Sequence, residues 1–193
     1  RRLLKNLNYP LAAPSANIST KISPVSREDV KDEFGKKLSL ILDGGQSKIG
    51  VESTVVELVN KPQILRLGGI SKNHIKNFLN LNLIYNKNSK KIKSPGQSKT
   101  HYSPYIKLRL NVKNPKSNEA FILIKRRKRV AANYFYLSKD NNLEQAAKNL
   151  YKTLRSIKKN KFKSIAVEKI PNKGFGEVIN DRLKRASYFK WII

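Results

Sequence analysis

Short hydroxyl and amide side chains sit between prolines and glycines in two places. One is Pro10-Leu-Ala-Ala-Pro-Ser-Ala-Asn-Ile-Ser19; the other is Asp43-Gly-Gly45 with Gly50-Val-Glu-Ser-Thr54. Such composition builds rigid loops that present backbone N–H groups and short donors to a ligand. A phosphorylated or nucleotide-like ligand is the chemistry these groups suit. Ser15 and Asn17 could meet phosphate or ribose oxygens; a turn closed by the asparagine side chain is the other reading. Ser53 begins a β-branched run, where its hydroxyl either meets a carboxylate or is solvated at a strand end. Arg66 stands between Leu65 and Leu67. A lone arginine there either offers its fork to an anion in a pocket or snorkels at an edge. No close carboxylate pair and no Ser-His-Asp pattern offers itself, so no catalytic acid, base or nucleophile is assigned.

The elements that must position these groups follow from periodicity and punctuation. Pro10 to Ala13 reads as a short buried strand leading into a loop. Ser26 can cap a helix whose first turn carries Glu28 and Asp29, whose apolar side is Val30 and Phe34, and which Gly35 ends. The apolar run Leu38 to Leu42 meets a turn at Asp43-Gly44-Gly45. Ser53 to Val59 and Gln63 to Leu67 read as strands, and Ser71 can cap a helix through Leu79. Residues 86–105 are polar, basic and without period, as in a linker. His101-Tyr102-Ser103-Pro104 within it suggests that the linker is tied down. Beyond it, strands are expected at Tyr105–Leu110, Ala120–Ile124, Ala131–Leu137 and Lys163–Ile170. Leu143, Ala146, Ala147, Leu150, Tyr151, Leu154 and Ile157 share one helical face. A second helix is expected over Glu177–Tyr188 with Val178, Ile179, Leu183 and Ala186 inward. Alternation of strands and helices indicates an open α/β sheet.

With 193 residues, one large domain or two small ones fit, and 39% hydrophobic with 28% charged residues suits a folded globular chain. No apolar run approaches the roughly 20 residues that span a bilayer, and Arg1-Arg2-Leu3-Leu4 lacks the apolar stretch of a signal peptide. Cysteine is absent, which excludes disulfides and thiolate metal sites, and His74 and His101 are too far apart to suggest zinc. A cytoplasmic protein is the default reading. Methionine is absent and residue 1 is Arg, so the chain is expected to be a fragment with its N-terminal portion missing. Net charge is +28, and 28 of the 41 basic side chains fall in residues 86–193 against 6 acidic ones. Polyanion binding is one reading of that excess; compositional drift toward Lys, Asn and Ile is the other.

Several motifs in order resemble the threonylcarbamoyl-AMP synthases of the YrdC type, in their longer two-domain form. They are Pro10–Ser19 with Ser23-Pro24, Ile41–Gly45 with Gly50–Val56, Ile64-Leu-Arg66 with Gly68, and Ser94-Pro-Gly96 with His101-Tyr-Ser-Pro104. In the second half, Leu137-Ser138, Glu144-Gln-Ala-Ala147 and Ile179-Asn-Asp-Arg-Leu-Lys-Arg-Ala186 complete the series. Thr20 stands where the family usually has glycine, which puts a Cβ where positive φ is expected.

The resemblance implies the C-terminal part of a YrdC-like α/β domain over 1–85, an interdomain linker over 86–105, and a small Rossmann-like open α/β domain over 106–193. It implies a nucleotidyltransferase that converts L-threonine, bicarbonate and ATP to threonylcarbamoyl-AMP and pyrophosphate. The product feeds N6-threonylcarbamoyladenosine-37 formation by the tRNA-modification machinery. It implies ATP contacts at Ser15, Asn17, Ser23, Arg66 and Tyr102, and a threonine pocket lined by Ala13 and Ser53. Mg²⁺ is implied with ATP, its ligands unassigned. Without the upstream phosphate-gripping segment of the family, the chain alone is expected to turn over poorly. The competing reading is an RNA-binding module driven by the basic second half, including a double-stranded RNA contact. Lys125–Arg129 is then a tRNA contact or a solvated turn. The loop Gly174-Phe-Gly176 resembles a weak anion nest, and Asn180-Asp181-Arg182 reads as a cap plus a domain-packing ion pair.

Overall fold

In the computed structural model, residues 2–59, 61–80, 82–85, 92–128 and 130–188 are described. A short helix α1 (Arg2–Lys5) precedes a long stretch with little regular structure, interrupted by α2 (Arg27–Phe34) and a 3-10 turn. Ser26 caps α2 by accepting from the Asp29 N–H at 3.2 Å, and Gly35 ends it at φ +54°. The Asp43 carboxylate closes its predicted turn onto the Gly45 N–H at 2.9 Å.

β1 (Val55–Glu57) and β2 (Gln63–Arg66) pair antiparallel, and β3 (Ile84–Tyr85) adds to β2 in parallel. Between them α3 (Lys72–Leu79) starts at Ser71, whose hydroxyl accepts from the His74 N–H. The second sheet is wholly parallel, with order β4-β7-β5-β6: β4 (Lys107–Arg109), β5 (Ala120–Leu123), β6 (Tyr134–Tyr136) and β7 (Ser164–Val167). The crossover is α4 (Leu143–Lys159), capped by Asn142, and α5 (Phe175–Ser187) follows β7.

Every residue of β5 is buried, as a central parallel strand demands. Ile122, Ile165 and Val167 face the stripe Ala146, Ala147, Leu150, Leu154 and Ile157 of α4, with Ile179 and Leu183 of α5. Phe121, Leu123 and Ala166 point to the other face, against Val112, Tyr134 and Tyr136. A small satellite core of Ile64, Leu67 and Leu83 in the first half is closed by Val178 of α5. The mixed α/β class and the open parallel sheet are therefore observed as expected.

Several strand expectations need correction; those over Tyr105–Leu110, Ala131–Leu137 and Lys163–Ile170 narrow to β4, β6 and β7. Pro10 to Ala13 forms no buried strand: these residues are exposed and pair with no strand among the described residues. An extended segment with no neighbour leaves its backbone groups to water, whatever its side chains prefer. The strand expected over Ser53–Val59 covers Val55–Glu57 alone. Its register shifts between Val55 and Val56, and Leu58 and Val59 leave the sheet exposed. Within the linker, residues 86–91 lie outside the described residues, as does Arg129 of the basic run.

Candidate functional site

The strands β1 and β2 bring two of the singled-out side chains together. Arg66 donates from Nη2 to the Ser53 hydroxyl and from Nε to the Ser53 carbonyl, both at 3.1 Å. Its third nitrogen donates to the Pro95 carbonyl at 3.0 Å, so the linker passes directly over it. Gln97 fastens that passage: its amide donates to the Leu65 carbonyl, and its side-chain oxygen accepts from the Lys93 and Ser94 N–H groups. Gly96 has φ +83°, and a Cβ there would run into the Tyr102 hydroxyl and crowd the Arg66 Cδ. Only glycine lets the linker backbone come so close. Gly68 is pressed in the same way against the backbone of Glu52, Ser53 and Thr54.

Directly beneath Ser53 lies a buried polar hub. The Glu52 carboxylate accepts from the Ser23 hydroxyl at 2.6 Å, the Tyr151 hydroxyl at 2.9 and 3.1 Å, and Arg182 Nε at 3.1 Å. Arg182 donates further to the Leu67 carbonyl and to Asp181, each at 2.6 Å. Its guanidinium lies 4.6 Å from the centre of the Tyr102 ring, and Tyr102 stacks on Tyr151. Burial pushes the Glu52 carboxyl up, but Arg182 and the hydrogen bonds from Ser23 and Tyr151 outweigh it and hold it below its ordinary value. Burial also pushes the Tyr151 phenol well up, so it stays protonated and donates. Desolvation lowers His101, with Arg182, Arg185 and Arg66 adding to the effect against the pull of Glu52. Neutral His101 accepts the Tyr102 N–H at its Nδ1.

Ser23 and Tyr102 thus belong to the hub; Tyr102 is 1% exposed and its hydroxyl has no hydrogen-bond partner among the described residues. Ala13 and Ser15 lie exposed on the Pro10–Ser19 loop. Asn17 donates from its amide to the Ile18 and Lys21 carbonyls, while its backbone N–H donates to the Ser15 carbonyl. Its side-chain oxygen is buried without a partner among the described residues. No hydrogen bond among the described residues links Ser15 or Asn17 to Ser53 or Arg66. The loop reaches the site through the chain instead: Lys21 bridges Ser103, and the Ser103 N–H donates to the Thr20 carbonyl. Thr20 does adopt positive φ, at +72°, and its hydroxyl lies 2.8 Å from the Tyr105 phenol.

Sequence reasoning missed Glu52 and Tyr151. Tyr151 lies on the apolar stripe of α4 and reads as core. Glu52 carried one signal, a carboxylate inside a Gly-Val-x-Ser-Thr run that should be costly to bury alone. Asp181-Arg182 does form the packing ion pairs expected of it, with Glu52 and within α5, but the expected cap is not made: Asn180 lies inside α5 and donates to the Ile170 carbonyl. In the basic turn, Lys125, Arg126, Arg127 and Lys128 are exposed, and Arg127 pairs with Glu168 at 3.0 Å. Gly174 starts α5 without a side-chain cap. No helix among the described residues is long and apolar enough to cross a membrane.

Comparison with known proteins adds the following. A family model described as Threonylcarbamoyl-AMP synthase, C-terminal domain matches residues 70–187. A second, described as Telomere recombination and covering Sua5, YciO and YrdC, matches residues 1–68. The threonylcarbamoyl-AMP synthase of Pyrococcus abyssi is 34% identical across 99% of this chain and 62% of its own length. That of Bacillus subtilis is 33% identical across 96% of this chain and 59% of its own. Among solved structures, P. abyssi Sua5 complexed with L-threonine superposes with a TM-score of 0.76 at 31% identity, covering 91% of this chain and 57% of that one. The chain spans about three fifths of the length of the curated relatives it matches.

Proposed function

Because the chain belongs to the threonylcarbamoyl-AMP synthase family, we propose that it works in L-threonylcarbamoyladenylate synthesis. Threonine, bicarbonate and ATP give threonylcarbamoyl-AMP and pyrophosphate, and the product goes to the tRNA-modification machinery for adenosine 37. Carboxylation of an amine and attack on an α-phosphate need reactants held in line and polyphosphate charge neutralised more than they need acid–base groups. The reading divides the chain into the C-terminal part of a catalytic domain over 1–85, a linker over 86–105 and a small α/β domain over 106–193. It sets the activity in the cytoplasm, where the tRNA is.

The observation that carries the reading is the Ser53–Arg66 pair. A hydroxyl and a guanidinium meet under the linker, and a carboxylate or phosphate would find both donors there. Ser53 and Ala13 take threonine, the relative solved with L-threonine being the nearest support. Arg66, Ser15 and Asn17 take the nucleotide. Ser23 serves the ATP side through Glu52, and Tyr102 through its packing beneath Gly96. Magnesium comes as part of the ATP substrate, its coordination met by phosphate oxygens and water.

The test is pyrophosphate release from ATP by the intact protein. It should need both threonine and bicarbonate, and Ser53→Ala and Arg66→Ala should each lower it at least tenfold. Release that ignores threonine, or that both substitutions leave untouched, removes the reading. An RNA-binding module is favoured by one observation, the exposed Lys125–Lys128 turn in the strongly basic half. If that reading were the right one, tRNA affinity would fall steeply with salt and ATP would not bind.

A further inference from the structure

Arg182 is fully enclosed, with 0% of its side chain exposed, so it can touch no substrate. Its guanidinium nevertheless ends on both segments of the proposed binding pair. Nε reaches the Glu52 carboxylate, and Glu52 is the residue before Ser53; Nη2 reaches the carbonyl of Leu67, the residue after Arg66. The two segments are already drawn together. The Gly69 N–H donates to the Glu52 carbonyl at 2.9 Å, and Thr54 exchanges hydrogen bonds with the Ile70 backbone. The β1–β2 pairing sets Val55 against Arg66 but its register shifts between Val55 and Val56, so a slip of one strand along the other is least opposed at the end nearest Ser53. A planar fork with two fixed ends resists that motion.

The hub is not itself a ligand site. Glu52 already has Ser23, Tyr151 and Arg182 on its two oxygens, and Asp181 is shared between Arg182 and Arg185. Replacing a buried ion pair by apolar groups often costs no stability, so stability alone does not account for the arrangement.

We propose that Arg182 is a positioning residue: from α5 it sets the spacing of the Ser53 hydroxyl and the Arg66 guanidinium, and through it the affinity for the anionic group they bind. The proposal rests on the reading of Ser53 and Arg66 as binding residues. Small misplacements of binding groups are known to cost large factors in rate and affinity.

The experiment measures L-threonine and ATP dissociation constants by calorimetry on the intact protein, below the melting temperature of every variant. Arg182→Lys keeps the charge and loses the fork. Glu52→Gln keeps the shape and loses the charge, and serves if Arg182→Lys does not fold. Leu154→Ala, in the core of the second half, is the control for destabilisation alone. Glu52→Gln and Arg182→Lys should weaken threonine or ATP binding about tenfold, and the ¹⁵N shift of Arg66 Nε should move as its bond to the Ser53 carbonyl changes. Leu154→Ala should move neither. Equal weakening in Leu154→Ala, or unchanged binding in both hub variants, overturns the proposal. Arg66→Ala separates the two readings. If it abolishes binding while the hub variants bind normally, only the role of Arg182 falls; if it binds normally, the site itself is misassigned and the role of Arg182 falls with it.

Discussion

Residues 106–188 enclose Ile122, Leu150 and Ile165 completely, whereas residues 2–85 leave Leu11, Leu40, Leu42, Val59 and Phe78 between 52% and 83% exposed. The second half has parallel strands and a helix with a continuous apolar stripe, so it builds its own core. The first half is held from outside. Its ties are both apolar, Ile22 and Val25 in the core that α4 covers and Val178 over Ile64 and Leu67, and directional: Glu52 and the Leu67 carbonyl to Arg182, the Ile22 carbonyl to Arg155, and Asp29, Asp32 and Glu33 in ion pairs with Arg155 and Lys159 of α4. The difference teaches that the proposed binding groups stand on the part of the molecule with the least core of its own. Their precision is supplied by a neighbour.

The sharpest way to break this comparison is to remove core from each side. Leu150→Ala should cost about 3 kcal/mol, and Leu40→Ala less than about 0.5 kcal/mol, both from urea denaturation. Equal losses would mean that the exposed leucines are not exposed in solution. Gly96→Ala comes next, at about 2 kcal/mol, from positive φ and the overlap with Tyr102. It should also loosen Arg66, seen as faster exchange of the Arg66 side-chain N–H protons; an unchanged exchange rate would detach the linker from the site.

Acidification probes the hub itself. His101 has its folded value below 6.5, chiefly through burial. Its stabilising share is therefore complete above pH 6.5 and lost as pH falls through the folded value. Glu52 is likewise held below 4.5, Arg182 and the Ser23 and Tyr151 hydrogen bonds outweighing burial. Its share is complete above pH 4.5 and lost at lower pH. Stability should decline in two stages on going from pH 8 to 3.5, and His101→Asn should flatten the first. A first stage that survives His101→Asn would place its origin elsewhere. The smallest effect is Thr20→Gly, which relieves the left-handed backbone and gives up an exposed hydrogen bond to Tyr105. The net should be a gain of about 0.5 kcal/mol. A loss instead would show that the Tyr105 contact matters more than the backbone.

What the sequence made legible was local. Ser26 and Ser71 cap their helices within three residues, and the 3.6-residue stripe of α4 lies where its periodicity puts it. The positive φ of Thr20 was readable because the resemblance supplied a glycine to compare. Pro10–Ala13 was misread because a strand needs a partner, and pairing is not written in the strand's own residues. Ser53 and Arg66 were found separately, and their meeting depends on β1–β2 pairing. The Glu52 hub was out of reach, its partners lying 29, 99 and 130 residues along the chain.

The position of Arg182 on α5 has a consequence for synthesis. A ribosome releases Glu52 130 residues before the guanidinium that neutralises it. At roughly 5–20 residues per second the wait is on the order of ten seconds. During it the nascent carboxylate must stay hydrated, so the first half completes its fold only after α5 has been made. A product broken off before Arg182 would have early segments that never settle, and the cell's proteases would meet it in that state.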